Sequence, residues 1–370
     1  MTLANRPPVK VLALSPIPEE GAGCRFRVSQ YIPYLKRAGF DVAISPFYSR
    51  EYFGIVYRPG NYLRKAAGFV ALTWRRIREL GSIRHYDVVL LYREAIPIGP
   101  PLVERWIRQL GIPIVYDFDD AIFLPAISDA NKAFAFLKSP RRASQILAMS
   151  QQASVGNEFL AGYARQFNNN VTVIPTAVDT NRFVPRADAP ETAGRKPVVG
   201  WIGSPTTFRY LESLKDVLAT VAARHPFTLK VSGAGRPVHF PGVDVDEVPW
   251  SMADEVTLFN TCDIGVYPLT DDDWSRGKCG FKAIQFMACG VPVVAAAVGV
   301  NREIISHGVD SMLASTPQEW IEHLSRLLAD ASLRQRMAVA GRRTIQARYS
   351  LDVTAPQLAG VLRAAVQSQP

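Results

Sequence analysis

The stretch 276-RGKCGFKAIQFMACGVPVV-294 decides how this chain must fold. It opens with Arg276, Lys278 and Lys282 set around Gly277 and Gly280. Phe281, Ile284 and Met287 or Ala288 then recur at helical spacing, which predicts a helix over 281–288 with one side buried. After Cys289-Gly290, the short apolar run 291-VPVVAAA-297 can only be a buried strand. Loop, helix and buried strand in succession make one repeat of a parallel sheet with helical crossovers. The glycines free the backbone, the lysines bring charge, and a helix N-terminus presents N–H groups. Together these form a cradle for a diphosphate. Lys282 and Gln285, three residues apart, share a face, so Gln285 can bond a hydroxyl beside the phosphates. A surface lysine pair ahead of a core helix is the plainer alternative.

The same alternation extends in both directions. VKVLALSP, FDVAISPF, YDVVLLYR, PIVYDFDD and VTVIPTAVD read as strands in the first half, with helices over 28-VSQYIPYLKRAG-39 and PPLVERWIRQLG. The segment ASQILAMSQQASVGNEFLAGYARQF adds helix and one more strand. The stretch 183-FVPRADAPETAGRKP-197 has no period and reads as a linker. VVGWIG then restarts the pattern, followed by FTLKVSG, a helix from Ser251, DIGVYP and the opening stretch. Thr316-Pro317-Gln318-Glu319 fits a capping box with Pro at the first helical position. The expected organisation is α/β: an N-terminal domain over 1–182, the linker 183–197, a C-terminal domain over 198–348, and a final helix within 349–370 returning toward the first domain. Both domains are doubly wound and face a cleft, with ligands beyond the carboxyl ends of the strands.

Bulk properties set outer limits. With 370 residues, 48% hydrophobic and 20% charged, the chain is a globular protein of about two domains. A net charge of +9 favours anionic partners. Cys24, Cys262, Cys279 and Cys289 form no CxxC pair or zinc-spaced cluster, so reduced thiols in a cytoplasmic protein are expected. The apolar run near the start, Val11 to Leu14, is too short to suggest a signal peptide, and no run of roughly 18 apolar residues suggests a membrane span. In 61-NYLRKAAGFVALTWRRIREL-80, Leu63, Ala67, Val70, Trp74 and Ile77 fall at helical spacing among basic residues. This describes either an interfacial helix on the anionic inner face of a membrane or a solvated basic helix packed on the domain. Basic residues elsewhere lie in separate loops without aromatic interleaving, so nucleic acid is not an expected partner.

Three further loops follow strands. In 15-SPIPEEGAGCRFRVSQ-30, Gly21 and Gly23 allow close backbone approach, and Arg25 and Arg27 sit beside them, suited to an anionic or hydroxylated acceptor. The spacing is not that of a dinucleotide fingerprint. In 116-YDFDDAIF-123, Asp117 and Asp119 share a face and Asp120 points away. They could bind a metal, act as a base or hold sugar hydroxyls, while capping a helix accounts for only one of them. In 200-GWIGSPTTFRYLESL-214, Gly203 and Ser204 lie between strand and helix where a phosphate could sit.

The segment 285-QFMACGVPVVAAAVGVNREII-305, with 173-VIPTAVDTNRF-183 and 263-DIGVYPL-269, resembles the retaining glycosyltransferases of family 4, which have the GT-B fold of two Rossmann-like domains. The resemblance implies transfer of a sugar from a nucleotide-sugar donor to a hydroxyl acceptor (a sugar, a lipid-linked molecule or a small molecule) without a cofactor or metal. The two glutamates of the family's motif fall on Gly277 and Gln285, so both carboxylates are absent. Gln285 still serves the ribose, and backbone N–H groups of Cys279, Gly280 and Phe281 partly stand in for the first glutamate. Gly203, Ser204, Lys278 and Lys282 complete the donor site, with the two lysines stabilising the leaving diphosphate. Asp119 falls near a histidine of the family that touches the donor sugar, which makes it the catalytic candidate of the first domain. Gly23, Arg25, Arg27, Asp117 and Asp120 are then the acceptor candidates. Loss of both glutamates leaves two alternatives, a non-catalytic nucleotide-sugar binder and a sugar-nucleotide epimerase.

Overall fold

The computed structural model describes residues 7–58, 60–124, 141–186 and 195–368. The chain divides into two compact units, Met1–Thr176 with Leu351–Pro370, and Ala177–Ser350. The first passage between them lies ahead of the expected linker, because residues 178–183 are already fastened to the second unit. Val178 N–H donates to Tyr349 O at 3.0 Å, and the Arg342 guanidinium donates to the carbonyls of Thr180 and Phe183. Residues 187–194 of the expected linker lie outside the described residues.

The first unit holds β1 (Val9–Ser15), β2 (Phe40–Pro46), β3 (Val88–Tyr92), β4 (Ile114–Phe118), β5 (Gln152–Val155) and β6 (Val171–Val173), in the order β2-β1-β3-β4-β5-β6. The second holds β7 (Val198–Ile202), β8 (Thr228–Ser232), β9 (Asp244–Glu247), β10 (Ile264–Tyr267), β11 (Val293–Ala296) and β12 (Met312–Ala314), in the order β12-β11-β10-β7-β8-β9. Every neighbouring pair is parallel. Parallel strands covered on both faces require near-continuous apolar runs, and all five residues of β3 and of β4 are buried. The order reverses beside the first strand of each sheet, between β1 and β3 and between β7 and β10. Such a switch point leaves a crevice at the carboxyl edge.

Several elements depart from the sequence reading. The expected loop 15–30 contains a helix, Ala22–Arg27. The expected helix over 28–39 is a 3-10 turn, Ser29–Tyr31, followed by the helix Ile32–Arg37. Pro33 lies in the first turn of that second helix, where a proline is tolerated as it is not farther inside. β9 and β12 were not expected: β9, Asp-Val-Asp-Glu, has little apolar sequence of its own, and β12, though apolar, is only three residues long. The capping box at Thr316 is formed in full. The helix Leu351–Gln367 packs on β3, β4 and β5 and on the helix Ile32–Arg37, with Tyr31 Oη donating to Thr354 Oγ1 at 3.0 Å. All four cysteines are buried, and burial pushes the Cys262 and Cys289 thiols up to about 12, so neither is a ready nucleophile. Among the described residues no helix is long and apolar enough to cross a membrane.

A buried ion pair ties the first unit together and removes two residues from the expected acceptor set. Arg27 donates through Nε to Asp117 Oδ2 at 2.9 Å and through Nη2 to Asp117 Oδ1 at 2.5 Å. It also reaches Ile174 O at 2.8 Å and Ser154 Oγ at 3.4 Å. Both side chains are almost wholly excluded from solvent, so Arg27 and Asp117 face each other rather than a ligand. Burial works against the Arg27 charge, but the Asp117 carboxylate outweighs it and raises the guanidinium further. Replacing Asp117 by Ala strands that charge in the interior, and the expected loss is about 3–5 kcal/mol in urea denaturation. The paired change Arg27→Met with Asp117→Leu is expected to recover most of it. A single-variant loss under about 1 kcal/mol, the range of a solvent-exposed pair, would show that the pair does not hold the unit together.

Candidate functional site

In the first unit the carboxyl ends of β1, β3 and β4 converge at the switch point. Gly23 sits in the helix after β1 because a Cβ there would lie 2.1 Å from the Tyr92 hydroxyl. That hydroxyl donates to Asp119 Oδ1 at 2.9 Å. Arg93, one residue past β3, donates to the same oxygen at 3.0 Å and to Asp120 Oδ2 at 2.5 Å. Its backbone is held in the left-handed region, with φ of 58°, by its N–H donating to Asp117 O at 2.8 Å. A non-glycine residue in that conformation is uncommon and is kept only where its surroundings dictate it.

These contacts fix the charges. Burial alone would raise Asp119, but the Arg93 and Arg27 charges and the hydrogen bonds from Arg93 and Tyr92 prevail, and its carboxyl lies below the ordinary range. Burial also keeps the Tyr92 phenol protonated, well above its usual value. Asp119 is therefore an ionised acceptor at neutral pH and not a proton donor. The structure brings Gly23, Asp119 and Asp120 together and adds Tyr92 and Arg93, which the sequence reading did not single out. Their one signal is position, the last residue of a strand and the first beyond it. Arg25 is a correction. It is buried, stacks 4.8 Å from the Phe26 ring, and donates to the carbonyls of Glu19 and Glu20. It thus braces the loop after β1 instead of reaching an acceptor.

In the second unit the loops after β7 and β8 touch. A Cβ on Gly233, whose φ is +88°, would lie 2.3 Å from Gly203 O, and Gly203 N–H donates to Ser232 O at 3.0 Å. Ser204 N–H donates to Thr207 Oγ1 at 3.0 Å, and the Ser204 hydroxyl lies 3.0 Å from that of Thr206. The hydroxyls of Ser204, Thr206 and Thr207 therefore cluster ahead of the helix Phe208–Glu212. That helix meets the segment leading to 276–280 through Ser275 Oγ donating to Tyr210 Oη at 3.4 Å. Arg209, exposed on the same turn, is a further cation the sequence reading passed over.

The helix Phe281–Ala288 starts at Gly280, whose φ of 63° only glycine adopts readily, against Ile304 and Asn301 of the short helix Asn301–Ile304 that follows β11. Lys278 is half-buried, with its ammonium 5.6 Å from the Trp274 ring. Arg276 is taken by Asp271 at 2.8 Å and Asp273 at 3.3 Å. Gln285 is the second correction. Phe286 fills the space that Gly265 leaves on β10, and residues 283–288 are buried all round. Gln285 therefore turns inward. Its carbonyl accepts from Lys282 Nζ at 2.8 Å, and its amide donates to the buried Glu255 at 3.2 Å. Glu255 in turn lies 3.5 Å from Arg182. Gln285 is thus buried and engaged by Glu255 and by Lys282, whose ammonium is also 5.4 Å from the Phe259 ring. A cavity of about 560 Å³ opens at the opposite edge, near the starts of β10 and β11, where Arg334 and Arg342 already donate to main-chain carbonyls.

Residues 196–330, within the second unit, match the family model described as Glycosyl transferases group 1. The chain is 28% identical over 253 residues to a D-inositol 3-phosphate glycosyltransferase from Stackebrandtia nassauensis, covering 60% of this chain and 54% of that protein. It is 25% identical to the protein of the same description from Segniliparus rotundus, covering 70% and 62%. The chain thus spans less than two thirds of the length of either. Its fold is that of the Anabaena Alr3699/HepE structure in complex with UDP and glucose, with a TM-score of 0.67 and 17% identity over 96% of this chain and 100% of that one. The architecture is GT-B.

Asp119 offers a test of the first site. A carboxyl held below its ordinary 3.8 contributes stability that is present above that pH and is lost as pH falls through the folded value. Asp119→Asn is expected to flatten the fall in melting temperature between about pH 5 and about pH 2. An unchanged profile would show that Arg93 and Tyr92 do not hold an ionised carboxylate.

Proposed function

We propose that the chain is a glycosyltransferase that moves a sugar from a nucleoside diphosphate sugar to a hydroxyl acceptor, with retention and without a metal. One observation carries this reading. In a unit whose residues 196–330 match the glycosyl transferases group 1 model, the glycine-tight turn at Gly203, the hydroxyls of Ser204, Thr206 and Thr207, and the Gly280 helix start with Lys278 and Lys282 all gather at the carboxyl edge of one sheet. Donors and cations aimed at a developing diphosphate stabilise a leaving group as its charge grows. The relatives' description as glycosyltransferases supports the same reaction class.

In this reading the diphosphate lies at the N–H groups of Gly280 and Phe281 and at the ammonium groups of Lys278 and Lys282, which take the role a metal ion plays elsewhere. Lys282 keeps its bearing through Gln285 and Glu255. Cys279 is buried and contributes backbone only. The first unit serves the acceptor. Asp119, ionised and oriented by Tyr92 and Arg93, accepts from a sugar hydroxyl and favours positive charge at the reacting carbon. Retention follows from attack on the face the diphosphate leaves, with no glycosyl-enzyme intermediate. The chain passes from the first unit to the second after Thr176, ahead of the expected linker, and back after Ser350.

Calorimetry with UDP, GDP, ADP and dTDP sugars, with and without EDTA, tests the donor site. One nucleotide is expected to bind and raise the melting temperature regardless of EDTA. Lys278→Ala with Lys282→Ala is expected to lower kcat/KM by on the order of 10²-fold or more while the fold persists. Wild-type kinetics in that variant would sink the assignment. Donor consumption without an acceptor would point to epimerisation, and binding without any turnover to a carrier.

A further inference from the structure

We infer that the outer face of the helix Tyr62–Glu79 is a docking surface for an anionic phospholipid bilayer. The helix has two apolar faces. Phe69 and Leu72 pack inward on a cluster of Phe47, Tyr48 and Tyr52, and a Cβ on Gly68 would lie 2.7 Å from the Tyr52 ring. Arg76, fully buried, fixes the same face through Ser45, Glu79 and the carbonyl of Ala95. The helix is thus fastened to the first unit without help from its other side. On that side Leu63 is 89% exposed, Val70 57%, Trp74 61% and Ile77 47%. These four fall within roughly 60° of one another around the axis, so they form one continuous stripe. A solvated basic helix packed on its domain would bury such residues; here they are the ones left out.

The charges around the stripe select the occupant. Arg64 and Arg78 are exposed on its flank, and Arg58 and Arg84 are exposed just beyond the two ends of the helix. The helix carries one acidic residue, Glu79, and this is held by Arg75 and Arg76. Apolar anchors edged by cations match the acyl boundary and headgroups of an anionic leaflet, and Trp74 and the exposed Tyr62 are of the type that settles at that boundary. A second copy of the chain fits less well. A two-fold interface across this stripe would set Arg64 and Arg78 against their own copies with no acid to answer them.

The test is co-sedimentation of the full chain with vesicles of phosphatidylcholine and phosphatidylglycerol, compared with phosphatidylcholine alone. The chain is expected to pellet with the anionic vesicles, less with the neutral ones, and less again as salt is raised. Leu63→Ser with Trp74→Ser is expected to lower the partition coefficient at least about tenfold. Arg64→Gln with Arg78→Gln is expected to lower it about fivefold for each charge removed. All four positions are exposed, so circular dichroism and melting temperature are expected to stay unchanged. The inference is overturned if the wild-type chain stays in the supernatant with anionic vesicles, or if Leu63→Ser with Trp74→Ser pellets as well as wild type. It is equally overturned if size-exclusion chromatography shows a dimer that this variant dissolves while wild type binds no vesicle.

Discussion

Parallel pairing is the constraint from which the rest of this structure follows. A parallel neighbour cannot be reached by a tight turn, so each return to the sheet crosses over a face and every strand finishes at the same edge. Each sheet grows outward on both sides of its first strand, β1 or β7, and at that reversal adjacent loops part in opposite directions. Tyr92, Arg93 and Asp119 stand at one such parting. Gly203, Ser204 and the lead into 276–282 flank the other. No fold-specific chemistry is needed to gather each set, because the winding of each sheet delivers its own loops to that sheet's carboxyl rim.

The same rim explains why polar residues that resemble ligands in sequence serve different ends. A charge taken from water must find partners, and within a sheet the nearest ones belong to neighbouring strands. Arg27 meets Asp117 of β4, Ser154 of β5 and Ile174 just past β6, so one guanidinium reads the relative placement of three strands. Arg182, Glu255, Gln285 and Lys282 make a comparable chain under the helix Phe281–Ala288.

Much of the architecture was legible in the residues. The apolar runs marked the central strands, the glycine and lysine spacing marked the helix at 281–288, and Thr316 to Glu319 marked a helix start. Period and composition report how an element is buried, and these elements are buried deeply. What escaped was relational. β9, Asp-Val-Asp-Glu in sequence, is a strand because β8 offers it an edge. Gly23 looks like a loop glycine in sequence, but it lies in the helix Ala22–Arg27, where the Tyr92 hydroxyl leaves no room for a Cβ. Arg93 looks like any residue after a strand until its backbone bond to Asp117 O sets its conformation. Gln285 and Arg25 have the right chemistry for ligands, but spacing alone could not say that each faces a partner within the chain.

The first unit closes with the last helix of the chain, Leu351–Gln367, laid across β3, β4 and β5. A ribosome therefore delivers the second unit whole, from Ala177 to Ser350, before the first has its final layer. Until residue 351 emerges, the apolar faces of those three strands and the Tyr31 hydroxyl lack their cover. The usual order of synthesis, in which the N-terminal domain folds first, is inverted here. The inner unit can mature while the outer one waits on the nascent chain, and a chain cut short at about residue 350 would leave the strands of the first unit, and not the second, in the hands of chaperones.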